Sequence, residues 1–189
     1  LLIRNADVSV SWGEQSFASL WQDITTDHQT LGRPTTFSVD ADNTPQWQSL
    51  AIDGSFRLLE AGLQASQQWD IEGVRLNNLA LSDAGNLSSS LQSALLSSTG
   101  SLNISDNALD GNGQINLASL AIEAAGSNNL TTLIADSLEA LSELSISADI
   151  AGMLNAPEFS LRSDLDRQMA RALADNVSGA DQARLDELQ

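Results

Sequence analysis

The chain has 189 residues, a formal net charge of −17, eight arginines, no lysine, one histidine and no cysteine. Such acidity excludes a nucleic-acid partner, which needs clustered Lys/Arg to displace counterions, and makes anionic membrane surfaces poor partners for most of the molecule. The missing cysteines remove disulfides, thiolate nucleophiles, iron–sulfur sites and cysteine-ligated zinc together.

The length suits one ordinary domain or two small ones. A 42% hydrophobic content argues against wholesale disorder. Aromatics are only 4%, and Trp12, Trp21, Trp47 and Trp69 all fall within the first seventy residues. The expected core is therefore built from many light side chains with a few heavy anchors at one end. The chain begins at Leu1 and reads as a processed product or a piece of a longer protein, so any membrane anchor is expected outside it. No run of eighteen apolar residues offers a transmembrane helix.

Taken in order, the first elements alternate apolar and polar residues with period two, the mark of a strand with one buried face. Ala6, Val8, Val10 and Trp12 alternate over Ala6–Trp12, as do Phe37, Val39 and Ala41 over Thr36–Asp42. Leu50, Ile52, Gly54, Phe56 and Leu58 follow, with Asp53–Gly54 open to reading as a turn or a bulge. Leu76 and Leu79–Leu81 lie in another strand. Leu87–Ser98 fits both periods and is read as strand. Leu102 and Ile104 mark a short strand, and Asn107 with Ser105–Asp106 supplies turn chemistry after it. Asp110–Gly111 with Asn112–Gly113 is read as a further turn, before Ile115, Leu117, Leu120 and Ile122.

Asn128–Leu141 carries Leu130, Leu133, Ile134, Leu138 and Leu141 at helical spacing, with Ser127 or Asn128 as N-cap. Leu144, Ile146, Ala148 and Ile150 make the best-ordered alternation, followed by Leu154, Phe159 and Leu161 beyond a break at Gly152. From Ser163, a capping box with Asp166 opens a second helix lined by Leu165, Met169, Ala172 and Leu173. Asn176 or Gly179 ends it, and Asp181–Gln189 reads as a further short helix. The expected fold is mainly β with some α: a long antiparallel sheet, a helix inserted at 128–141 and a helical C-terminal tail. Residues 1–162 form one β-rich domain in this reading, with a change of texture near 85, and 163–189 form the tail.

Chemistry is harder to find. His28, the lone histidine, reads as a surface or sheet-edge residue, since no G-x-S-x-G elbow accompanies it. Asp106, Asp110 and Asn112 fail the calcium-loop spacing, because position three is Ala108 and position twelve is Leu117. Neither phosphate-cradling glycine motif occurs. Paired acids of a carboxylate-based hydrolase are not excluded by counting, but nothing points to them. No cofactor, metal site or catalytic residue is expected.

The phrases Gly100-Ser-Leu-Asn-Ile, Leu109-Asp-Gly-Asn-Gly-Gln-Ile-Asn-Leu117 and Leu144-Ser-Ile-Ser-Ala-Asp-Ile-Ala-Gly152 lead into Leu154-Asn-Ala-Pro-Glu-Phe-Ser-Leu-Arg-Ser-Asp-Leu165. Together they resemble the AsmA/TamB-like proteins of Gram-negative bacteria, over roughly residues 85–175. The resemblance implies a periplasmic domain held to the inner membrane by an anchor elsewhere, contributing to cell-envelope maintenance without catalysis. It also implies a twisted, half-pipe-like sheet whose apolar face would bind or pass phospholipid, and envelope proteins are the other implied partners. The candidates to face lipid or form the core are Ile115, Leu117, Ile146, Ala148, Ile150, Phe159 and Leu161, with Leu133, Ile134 and Leu138 packing over them. The competing expectation is a secreted or surface-exposed β-rich structural or adhesion module.

Overall fold

A computed structural model describes residues 1–12, 15–41 and 44–174; the side chains at 10–12, 15 and 84 lie outside that description. Among the described residues the order is β1 Leu2–Trp12, β2 Gln15–Thr25, α1 His28–Leu31, β3 Thr35–Ala41, β4 Ser49–Leu59, β5 Gly62–Ala84, β6 Leu87–Ser105, β7 Ala108–Gly126, α2 Asn129–Glu139, β8 Glu143–Met153 and β9 Ala156–Ser163. A third helix, α3, covers 165–174. The protein is mainly β, with 70% of the described residues in strands. The nine strands form one open antiparallel sheet in simple chain order, β1 to β9.

By its contacts the chain divides into two compact units built from separate segments. The first holds Leu1–Val74, Ser97–Ile115 and Ile146–Arg162; the second holds Arg75–Leu96, Asn116–Ser145 and Ser163–Gln189.

In the first unit, strand pairing runs residue for residue from β1 to β5. One cross-strand row reads Ala6, Trp21, Phe37, Gly54 and Gln67; the next reads Val8, Ser19, Val39, Ile52 and Trp69. Residues directly opposite share a face, so these rows define one side of the sheet. The intervening rows, Asp7, Leu20, Ser38, Asp53, Gln68 and Ser9, Ala18, Asp40, Ala51, Asp70, define the other. Within these rows the acidic residues thus all fall on one face and the aromatic and β-branched residues on the other.

Two turn expectations are corrected by this register. Asp53–Gly54 is neither a turn nor a bulge, because pairing continues unbroken through it. A Cβ at Gly54 would collide with the Phe37 ring and lie 2.9 Å from the Ser66 carbonyl, so the glycine makes room for an aromatic across the strand. Asp110–Gly111 and Asn112–Gly113 lie inside β7 rather than at a turn. Gly111 admits Leu102, whose Cδ1 would lie 2.9 Å from an added Cβ, and Gly113 lies under Trp69. The hairpin between β6 and β7 turns at Asp106 and Asn107, with φ of 50° and 68°, the left-handed pair that a two-residue hairpin demands.

The strands are longer than their alternation predicts. The residues around Leu102 and Ile104 are the end of the 19-residue β6, and Leu87–Ser98 is its beginning. β5 has 23 residues, with positive φ at Gly73 and Asn78. Half-burial shifts there from Trp69 and Ile71 to Val74 and Leu76, so no single alternation runs through the strand. Ser119, at φ 52°, does the same in β7: Ile115 and Leu117 are half-buried before it, Leu120 and Ile122 after.

The second unit contains most of the closed packing. Leu91 and Ala94 on β6, Ala135 and Ser137 on α2, and Leu141 beyond it are all buried. Asn128 caps α2, accepting from Thr131 N–H at 3.0 Å while the Thr131 hydroxyl faces Asn128 N at 3.1 Å, as expected. The start of α2 presses on β7 so closely that a Cβ at Gly126 would overlap the Thr131–Thr132 backbone. Glu139 at its far end accepts Ala124 N–H at 3.0 Å.

At the end of the sheet the chain turns at Leu154–Asn155, two residues past Gly152, so Leu154 is not in a strand. The cap of α3 is also shifted. Asp164, not Ser163, supplies the first helical carbonyl, to Gln168 N–H at 3.0 Å. Leu165, Met169, Ala172 and Leu173 are half-buried along α3, and the expected helix end at Asn176 or Gly179 and the short helix over Asp181–Gln189 fall outside the described residues.

Candidate apolar sheet face

The feature with most functional content is the apolar face of the first unit. Trp21 stacks on Phe37 with ring centroids 5.0 Å apart, and Phe17 lies 5.3 Å from Trp47. Trp69 projects over two glycine backbones: a Cβ at Gly100 would fall inside its ring, and one at Gly113 would lie 3.1 Å from it. Its indole N–H donates to Ser98 Oγ at 3.0 Å, so the polar edge is satisfied and the ring is left apolar. Trp47 differs, for its buried Nε1–H meets no acceptor among the described residues.

What distinguishes this face is incomplete cover. Trp21, Phe37, Val39, Ile52, Phe56 and Trp69 are all half-buried, whereas Val8 and Leu58 on the same face are exposed. In the first unit Ala41 is the hydrophobic residue that reaches full burial among those described. The two complete rows carry no charged side chain. Five strands at a spacing of roughly 4.8 Å make the stripe about 19 Å across.

The residues expected from the sequence behave variously. Ile115, Ile146, Ala148 and Ile150 are half-buried in the first unit, and Leu117 is half-buried in the second. Leu133, Ile134 and Leu138 are half-buried on α2, also in the second unit. Phe159 and Leu161, expected among the lipid-facing or core residues, are not core: they are 69% and 71% exposed, on an edge strand whose every residue is exposed. An edge strand has a neighbour on one side only, which is why its alternation does not translate into burial. The aromatic set of β2 to β5 is missed by that reasoning. Its signal is the clustering of tryptophans in the first seventy residues.

The described depressions draw in part on this face, with Trp69, Phe56 and Phe37 each lining one of them. One of about 480 Å³ is lined mainly by Ala51, Asp53, Gln68, Asp70, Thr99 and Ser101, the acidic side of the sheet. Another of about 430 Å³ is flanked by Ser55, Arg57, Gln64 and Ser66. Both are open, with linings of mixed polar and apolar character. No group of three or more His, Asp or Glu among the described residues is arranged to hold a metal ion, and no described helix is long and apolar enough to cross a membrane.

His28 is a correction of another kind. Expected at the surface, it is 2% exposed, with both ring nitrogens hydrogen-bonded, to Thr35 Oγ1 at 3.0 Å and Leu58 N at 3.1 Å. Periodicity cannot find it, because its burial comes from the loop between β2 and β3 folding against β4.

No family model, no curated protein and no solved structure matches the chain.

Proposed function

We propose that this chain is a non-catalytic, AsmA-like domain of the bacterial periplasm that contributes to envelope maintenance by receiving phospholipid acyl chains on its apolar sheet face. The observation that carries the reading is the half-exposed, uncharged stripe through Trp21, Phe37, Ile52 and Trp69. A face lined by hydrocarbon and aromatic rings, with no charge in its complete rows, favours an occupant that is itself hydrocarbon. At about 0.8 kcal/mol per methylene, ten buried methylenes return about 8 kcal/mol, from which the costs of association and of ordering the chain are subtracted. The carboxylates of Asp7, Asp40, Asp53 and Asp70 keep the opposite face in water. In the full-length protein an anchor outside these residues would hold the domain at the inner membrane.

Native mass spectrometry of the purified domain, followed by organic extraction, tests the reading. Phospholipid should co-purify at defined stoichiometry and be lost from an Ile52→Asp variant that keeps its β circular-dichroism signal. A clean apo mass with no extractable lipid, or equal lipid in both proteins, defeats it.

A further inference from the structure

β3 begins at Thr35, which pairs with Phe56 of β4. Two residues further along β4, Leu58 would face position 33, where the chain has not yet entered β3. Its N–H therefore lacks a strand partner on that side, and His28 supplies one through Nδ1 at 3.1 Å. The other ring nitrogen, Nε2, lies 3.0 Å from Thr35 Oγ1. That hydroxyl already donates its hydrogen to the Asp23 carbonyl at 2.9 Å, so it can only accept from the ring. The imidazole is thereby fixed as the neutral tautomer with its proton on Nε2. Thr35 is fully buried, and the Phe56 ring stands edge-on to the imidazole at 5.6 Å.

We propose that His28 is an acid-released latch on this corner of the first unit: proton uptake at Nδ1 turns an acceptor into a donor facing the Leu58 N–H, breaks that bond and frees α1 and the end of β4. The charged groups around it include one ion pair. Asp27, at the N-cap of α1, is held by Thr30 N–H at 3.1 Å, and Asp23 of β2 is bridged to Arg33 at 2.6 Å. Arg57 of β4 donates to the Gly32 carbonyl. Asp27 attracts the ring once it is charged, which favours proton uptake, and the donor-against-donor conflict at Leu58 then breaks the bond. Release would loosen Phe56 and Leu58, and both belong to the apolar face.

The chain has a single histidine, so its ring signals in an NMR pH titration assign themselves. The expected result is that ring protonation and loss of hydrogen-exchange protection at the Leu58 amide share one midpoint, while Leu91 and Leu141 stay protected. As pH falls toward that midpoint, protection at Leu58 should drop by up to about tenfold per pH unit. In a His28→Gln variant the amide can still accept from Leu58 and donate to Thr35 but takes up no proton, so the local transition should vanish. Ring protonation with Leu58 protection unchanged overturns the proposal, as does a ring that stays neutral until the whole sheet unfolds. Should the glutamine variant not fold, the wild-type titration alone still separates the shared midpoint from either contrary result.

Discussion

The two units solve the same problem differently. Each contains lengths of one-sided β-strand, and a one-sided strand must cover its apolar face or leave it wet. The second unit covers its own: α2 is clamped to β7 through Gly126 and Glu139, and Leu91, Ala94, Ala135 and Leu141 are buried. Among its described residues the first unit has only the four-residue α1 as helix, and Trp21, Phe37, Phe56 and Trp69 end half-buried. A helix inserted between two strands is thus the difference between a closed core and an open face, although both regions carry similar alternation.

Truncation should separate the units most sharply. Leu141→Ala, at a site 5% exposed, is expected to cost about 2–4 kcal/mol, since both transfer energy and a residual cavity are lost. Ile52→Ala removes a comparable side chain from the half-exposed face and should cost about 1 kcal/mol, because part of its surface is already in water. Urea denaturation of the two variants reads the difference. Equal losses would mean that the face of the first unit is as closed as the core of the second.

Gly100→Ala sharpens the same comparison from the other direction. The added methyl would enter the Trp69 ring and lie 2.5 Å from the Asn112 carbonyl. The carbonyl is backbone and cannot swing aside, so the cost should fall near the high end of about 1–3 kcal/mol, and a ring free to swing off an open face should red-shift the tryptophan emission. Unchanged emission would show that Trp69 is held on both sides.

How much of this is legible in the sequence follows the same division. The alternations of β1, β3, β4 and β8 are regular, and the helix at α2 announces itself through Leu133, Ile134, Leu138 and the Asn128 cap. β2 escapes recognition because Ser19 interrupts Phe17 and Trp21 on the apolar side while Leu20 sits on the polar side. The first part of β5 is hidden by Ala65 and Gln67, a small and a polar residue on the inward face. Glycines mislead in a consistent way: at Gly54, Gly111 and Gly113 they make room for a neighbouring ring or side chain, and sequence alone cannot tell a close approach from a turn. Which part of the apolar surface ends up covered is not legible at all, since cover depends on where a helix from elsewhere in the chain lands.

The smallest effect expected concerns how α3 is fastened in the second unit. Asp164 accepts the Ser145 N–H at 2.9 Å and the Gln168 side-chain amide at 3.2 Å. The Ser145 bond is the main reason that its carboxyl sits below the usual aspartate range, with Gln168 and nearby Arg167 adding to it against an opposing effect of burial. A carboxylate whose proton affinity is lowered by folding stabilises the fold above its unfolded value of about 3.9, and the contribution is lost as pH falls through the lower folded value. Asp164→Asn keeps an acceptor for Ser145 but no titrating charge. The stability gap between wild type and variant should therefore be present at neutral pH and close on acidification below about pH 4, in favour of the wild type wherever it exists. A gap that stays constant with pH would mean that the neutral hydrogen bond alone fastens α3 to the start of β8, and that charge has no part in it.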